Sequence, residues 1–243
     1  MRNIFMAVDG SPGSGKTHFS LSAPKPLCVF DFDGGVCDAL DNYPTLKHKT
    51  VERGCVGEWD GEDILIVNSK LPIQWSHRKR TYGRAEYASL RTDYDLALML
   101  FETVLLDTGT AVYNVVREAY SDEIGKELMP FMYGEVNARI NGLIQSARAA
   151  GKCLIMTQHV RPVYIDDKRT GEFESDGCKE VGNVADIKLY LDIEIDKKGL
   201  SMPRTSFYVA KSRLARGLLG QTYYDLDYAM LADIVDAMKG VRS

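Results

Sequence analysis

Long apolar stretches are missing from this 243-residue sequence. Nothing approaches the roughly 20 consecutive residues that span a bilayer, and no charged-then-apolar signal segment stands at the N-terminus. A protein with no membrane partner, in the cytoplasm, is therefore expected. Paired cysteines are missing too. Cys28, Cys37, Cys55, Cys153 and Cys178 contain no C-x-x-C spacing, and Cys28 and Cys153 sit inside apolar runs. They read as reduced core thiols rather than as a zinc site or a disulfide framework. A cationic excess is also absent: 30 Lys and Arg against 34 Asp and Glu leave a net charge of −4. That balance argues against a uniformly basic nucleic-acid coat and leaves a local basic patch open. What remains is an ordinary apolar fraction and a chain long enough for one α/β domain with a large core, spanning residues 1–243.

Against that background stands Gly10-Ser11-Pro12-Gly13-Ser14-Gly15-Lys16-Thr17, which fits the phosphate-binding pattern G-x-x-x-x-G-K-S/T without a departure. Glycine at 10, 13 and 15 lets successive backbone N–H groups turn inward on phosphate oxygens with no Cβ in the way. Lys16 is then placed to reach the β- and γ-phosphates and Thr17 to put its hydroxyl on Mg²⁺. The helix that Thr17 opens turns its positive end toward the phosphates. The flanks agree. Ile4 to Val8 form a short apolar run suited to a buried parallel strand, and Thr17 to Ser22 begin a helix that Ala23-Pro24 stops. A glycine turn without a ligand has no need of a lysine followed by a hydroxyl.

Further strands end in chemistry. Pro26 to Gly35 reads as an apolar strand that runs out into Asp31, Asp33 and a glycine turn. Ligands of open α/β sheets collect at the carboxyl ends of strands, and the alternation of strand side chains puts both aspartates on one face. The plain alternative is a solvated turn. The functional reading makes one of them, Asp33 by its position farther toward the crevice, the carboxylate that polarises the attacking water. Thr103 to Thr108 supplies a buried strand with Asp107 at its end, the partner a phosphate loop needs. Asp107 would hold Mg²⁺ through water while Thr17 binds it directly, with Thr108 orienting that water. A helix cap is the alternative for Asp107. Gly151 to His159 is a strand that is apolar inside and polar at its exit, where the Gln158 amide could hydrogen-bond the γ-phosphate or its water.

The rest of the chain reads as scaffold and loops. Residues 41 to 61 look like a polar surface excursion, and Asp63 to Asn68 like a strand. Trp75 to Arg84 interleaves cations with rings, either a surface for single-stranded nucleic acid or an exposed loop with packed aromatics. Helical spacing marks Ala85 to Phe101, Val112 to Ala119 and Val136 to Ala147 as covers for the sheet. Arg161 to Val181 is long and polar with glycines, which suggests a mobile loop. Leu189 to Ile195 alternates like a half-exposed strand that turns at Lys197-Lys198-Gly199 and returns antiparallel through Ser206 to Ala210. A helix from Tyr228 to about residue 239 closes the domain.

Together, G-S-P-G-S-G-K-T at 10–17, F-D-F-D at 30–33, L-L-D-T at 105–108, M-T-Q at 156–158 and K-S-R at 211–213 resemble the RecA-like ATPase core, and within it the short phage-encoded recombinases. The resemblance implies a three-layer α/β P-loop NTPase, its mostly parallel central sheet extended by antiparallel C-terminal strands. It implies ATP and Mg²⁺ as cofactors, with residues Gly10 to Thr17 and the adjoining His18 on the nucleotide. Lys16, Asp33 and Gln158 would be catalytic, Gln158 by linking the γ-phosphate to DNA loops, and Thr17 and Asp107 would hold the metal. Lys211 and Arg213 would reach the nucleotide of a neighbouring subunit in a homo-oligomer. Asp33 stands where many relatives carry glutamate, and a shorter acid reaches less far.

Only Met1 to Asn3 precede the first strand, so the segment by which larger recombinases oligomerise is expected to be missing, as in the short phage relatives. Those relatives imply ATP-assisted annealing or pairing of single-stranded DNA beside a single-strand-binding protein, in the host cytoplasm. A nucleotide or small-molecule kinase is the alternative, and the ATPase subunit of a replication or packaging machine a third. No N-K-x-D guanine-reading motif occurs in the later strands, which favours ATP.

Overall fold

The computed structural model describes residues 3–70, 83–165, 168–194 and 203–240. In chain order the elements are β1 (Phe5–Gly10), α1 (Lys16–Leu21), β2 (Leu27–Asp31), α2 (Val36–Leu40), β3 (His48–Glu52), β4 (Ile64–Asn68), α3 (Gly83–Leu100), β5 (Thr103–Asp107), α4 (Gly109–Ile124), α5 (Tyr133–Ala149), β6 (Cys153–Ile165), β7 (Lys168–Asp176), α6 (Lys179–Val184), β8 (Ile187–Glu194), β9 (Arg204–Ser212), β10 (Thr222–Tyr224) and α7 (Tyr228–Gly240). The sheet runs β10-β9-β8-β1-β6-β5-β2-β4-β3, with β7 paired to β6 outside that row. From β8 to β3 every pairing is parallel, while β9 and β10 add antiparallel strands after β8. The expected mostly parallel sheet with an antiparallel C-terminal extension is therefore the observed one.

Central strands of such a sheet are buried on both faces, and the sequence meets that demand with runs of Val, Ile, Leu and Phe. Phe5 and Ala7 of β1, Phe30 of β2, Leu106 of β5 and Met156 of β6 face a core closed by α3, α4, α5 and α6. Met6, Val8, Val29, Leu105 and Ile155 face the other way, onto α1, α2 and α7. Each fully buried Leu, Ile or Phe stabilises this arrangement by about 1.5–3 kcal/mol. The buried Tyr94 hydroxyl of α3 donates to the Leu143 carbonyl of α5 at 2.8 Å, which keeps its polar end satisfied within the first core.

Parallel register fixes where function can sit. Asp9 is opposite Gln158, Leu106 opposite Met156, and Asp31 opposite Asp107, so β1, β6, β5 and β2 all end at one rim. Three stretches differ from their sequence reading. Residues 161 to 181 are not a loop but the antiparallel ribbon β6–β7 followed by α6. Every cross-strand pair of that ribbon except Pro162–Phe173 contains at least one polar or charged residue, as in Arg161 Nε donating to Glu174 at 3.0 Å, and Gly171 interrupts β7, so the stretch reads as polar and glycine-containing rather than as buried strands. The polar excursion at 41 to 61 contains β3, an edge strand of which only Val51 is buried. A further short edge strand, β10, pairs with β9. The turn at 197 to 199, and Trp75 to Tyr82 of the basic and aromatic stretch, lie outside the described residues.

Candidate active site

The loop after β1 has the backbone its glycines permit. Gly13 and Gly15 adopt φ of +77° and +88°, where a side chain is strained. At Gly10 a Cβ would stand 2.5 Å from the Leu191 carbonyl oxygen and 2.5 Å from Ser14 Oγ, so glycine is needed there for space. Ser14 N–H donates to the Ser11 carbonyl at 3.1 Å, closing the turn, while the buried Ser14 hydroxyl has no partner. Lys16 Nζ bends back over the loop and donates to the Gly10 carbonyl at 2.9 Å and the Ser11 carbonyl at 2.8 Å. Burial lowers the Lys16 pKa from its ordinary value, and the charges of Asp107, Asp33 and Asp9 oppose that shift. A glycine loop with two positive-φ residues, a buried unpartnered hydroxyl and a lysine hydrogen-bonded only to carbonyls suits a polyphosphate.

Asp107 lies on the α1 side of the sheet. Thr17 Oγ1 donates to its Oδ2 at 2.8 Å, and Thr157 at the exit of β6 donates to its Oδ1. Burial pushes the Asp107 carboxyl up, and the two hydroxyls pull it back. A hydroxyl and a carboxylate beside a phosphate cradle are hard oxygen donors of the kind Mg²⁺ takes. Among the described residues no group of three or more His, Cys, Asp and Glu could hold a metal by itself, so phosphate oxygens and water would complete the ion's coordination. Thr108, expected to orient a metal-bound water, instead caps α4 by accepting from Ala111 N–H at 3.3 Å. That cap leaves the Asp107 carboxylate free for the rim.

The two aspartates after Phe30 have parted company. Asp31, buried at the end of β2, accepts from Gly34 N–H at 2.6 Å and so stabilises the glycine turn. Asp33 is exposed beyond the strand, and its Oδ2 lies 3.1 Å from His159 Nε2. Lys16, Thr17, Asp107 and Asp33 thus gather at one rim. Gln158 does not join them. It alternates with Thr157, and its side chain is buried on the α4 side, where a Cβ on Gly177 would stand 3.3 Å from Nε2. Neither amide atom has a partner there. Lys211 and Arg213 are farther away still. Lys211 is level with Lys188, and Arg213 N–H donates to the Asp186 carbonyl beside the start of β1. Their side chains hold the C-terminal carbonyls of α6, including Gly182 at 3.0 Å from Lys211 and Asn183 at 2.9 Å from Arg213.

Sequence reading missed one wall of the site. A cavity of about 430 Å³ opens beside Gly15 and His18 and is lined by Tyr43, Thr205, Phe207 and Asp225. The His18 and Tyr43 rings lie 4.8 Å apart at 31°, and Tyr43 Oη donates to the His18 carbonyl at 2.9 Å. Asp225, at φ +52°, is fixed by Thr205 N–H at 3.1 Å and Arg204 Nε at 2.9 Å. Only Gly15 and His18, of the glycine loop and its next turn, were marked in the sequence. The others come from distant segments that share no motif and meet only through folding.

Residues 2–214 match the family model of the AAA domain, and the chain belongs to that family. Family and fold together define an AAA-type P-loop NTPase. No curated protein matches the sequence. Among solved structures, the chain is similar to a KaiC-like protein from the hyperthermophilic archaeon Pyrococcus horikoshii OT3, with 14% identity, 92% of this chain and 85% of that chain covered, and a TM-score of 0.48.

Proposed function

We propose that this P-loop NTPase is an Mg²⁺-dependent ATPase that acts on single-stranded DNA as an assembly of identical copies, annealing or pairing strands in phage recombination in the cytoplasm beside a single-strand-binding protein. The observation that carries the reading is the Thr17–Asp107 hydrogen bond of 2.8 Å, formed between the phosphate loop and an acid-ended strand with Asp33 at the same rim. The triphosphate lies on the loop's N–H groups, and the Lys16 ammonium leaves its carbonyls to face the β- and γ-phosphates. Thr17 and Asp107 would hold the Mg²⁺ ion, and the chemistry it would supply there is neutralisation of phosphate charge. Asp33 orients the attacking water. Ribose and base enter the cavity between the His18–Tyr43 ring pair and the Thr205–Phe207 wall.

Support for DNA as the partner comes from the recombinase-like motifs and from the β6–β7 ribbon, which grows out of the strand between the phosphate loop and Asp107. Movement of that ribbon reaches the nucleotide rim through the end of β6. The test is the ATPase rate with and without single-stranded DNA across a salt series. DNA should stimulate hydrolysis, salt should weaken the stimulation as phosphate contacts are screened, and Lys16→Ala should abolish the rate. Hydrolysis by Lys16→Ala at the parent rate would overturn the site. Phosphorylation of a soluble acceptor, with no effect of DNA at any salt, would identify a kinase instead.

A further inference from the structure

The hydrogen bond between His159 and Asp33 is not required by a phosphate loop, and its location gives it meaning. His159 lies within β6, where the β6–β7 ribbon begins, and Asp33 follows β2, with β5 between the two strands, so at about 4.8 Å per strand the contact spans about 10 Å of rim above the strand that ends in Asp107. His159 is anchored from below. Its N–H donates to Thr110 Oγ1 at 3.2 Å, and that hydroxyl donates to the carbonyl of Asp176 at 2.5 Å, the residue opposite His159 in the β6–β7 ribbon. Asp33 is not anchored in this way. It is half-exposed on a turn continued by Gly34 and Gly35, and among the described residues its carboxylate bonds to His159 alone.

Ring burial also selects the proton position. Nδ1 of His159 is buried with no partner, so a proton there would be an unpaired donor. The hydrogen-bond network therefore assigns the proton to Nε2, which donates to Asp33 Oδ2. We infer that His159 is the positioning residue for Asp33: the Nε2–H bond occupies Oδ2 and fixes the carboxylate plane, so that Oδ1 accepts from the attacking water. The inference rests on the hydrolytic reading of Asp33. Aspartate is short and its turn glycine-rich, so its orientation must be imposed from outside, and a ring on backbone hydrogen-bonded to the start of α4 imposes it.

The test is steady-state ATP hydrolysis and nucleotide binding by the parent, His159→Ala, His159→Gln, Asp33→Asn and the double variant His159→Ala/Asp33→Asn. His159→Ala should lower kcat by roughly 10- to 100-fold, the scale of a misplaced catalytic group, with KM and nucleotide affinity unchanged. His159→Gln, whose amide donates to the same oxygen, should recover several-fold of that loss. In the Asp33→Asn background the histidine substitution should cost nothing further. Parent-like kcat for His159→Ala, a raised KM at constant kcat, or an equal loss in the Asp33→Asn background would each overturn the inference. Should His159→Ala fail to fold, His159→Phe keeps a ring without the donor and is read by the same criteria. Asp33→Asn at the parent rate would instead overturn the role of Asp33 itself, so the two failures are distinguishable.

Discussion

Thr157 holds Asp107 from the side opposite Thr17, so both oxygens of one carboxylate are oriented by hydroxyls before any metal arrives. Groups that orient a metal's carboxylate typically account for about 10- to 100-fold in metal affinity. Thr157→Val should therefore raise the Mg²⁺ concentration for half-maximal ATPase activity by a factor in that range, and Thr157→Ser should restore it. A Mg²⁺ titration of the rate checks this. On the other face of β1, burial pushes the Asp9 carboxyl above its ordinary 3.8 despite the Lys188 ammonium at 3.0 Å. A carboxyl with a raised native pKa binds its proton more tightly in the folded chain, so its stabilising contribution is full below 3.8 and fades as pH rises through the native value. Asp9→Asn removes that slope. Urea midpoints from about pH 4 to about pH 7 should move in favour of the variant relative to the parent as pH rises. At this scale the sequence marked Lys16, Thr17 and Asp107, which the fold brings together, because each belongs to a local motif. It did not reveal which neighbour on β6 faces Asp107. Thr157 and Gln158 occupy opposite faces, and only the packed helices distinguish those faces.

The long helices α3, α4, α5 and α7 and the inner strands were legible because their apolar periodicity reflects burial on the two sheet faces, whereas the five- and six-residue helices α2 and α6 are too short to show it. The β6–β7 ribbon, β3 and β10 were not legible either, since edge strands and ribbons that bury little need no such pattern. A subtler feature at this scale is the crossing of α3 and α4. A Cβ at Gly83 would stand 2.6 Å from both the Ala119 nitrogen and the Glu118 carbonyl carbon. Backbone cannot yield as a flexible side chain would. Gly83→Ala should therefore force the two helices apart and destabilise the fold by about 1–3 kcal/mol, the range for overpacking. Thermal unfolding measures the loss, and an unchanged midpoint would show that the helices can part without penalty. Because the close approach joins residues 83 and 118–119, no local pattern announces it.

At the scale of the whole molecule, the position of Lys211 and Arg213 bears on the proposal that they act on a nucleotide. Arg213 sits level with the start of β1, and five strand residues separate that level from the phosphate loop, about 17 Å of sheet. An arginine side chain does not cross that span, so these cations can act on a nucleotide only if it belongs to a neighbour packed head to tail. Such a heterologous contact joins the loop rim of one copy to the opposite end of the next. Lys16→Ala and Arg213→Ala should then each be nearly inactive alone, yet partly active when mixed. A Lys16→Ala copy still supplies its arginine to an Arg213→Ala copy, whose phosphate loop is intact. With equal amounts and random neighbours, about one contact in four is competent, which sets the expected recovery near a quarter of the parent rate. Parent-like hydrolysis by Arg213→Ala alone would show that its bonds to the α6 carbonyls are its whole role. Absence of recovery in a mixture of two folded variants would place any shared nucleotide site elsewhere on the surface.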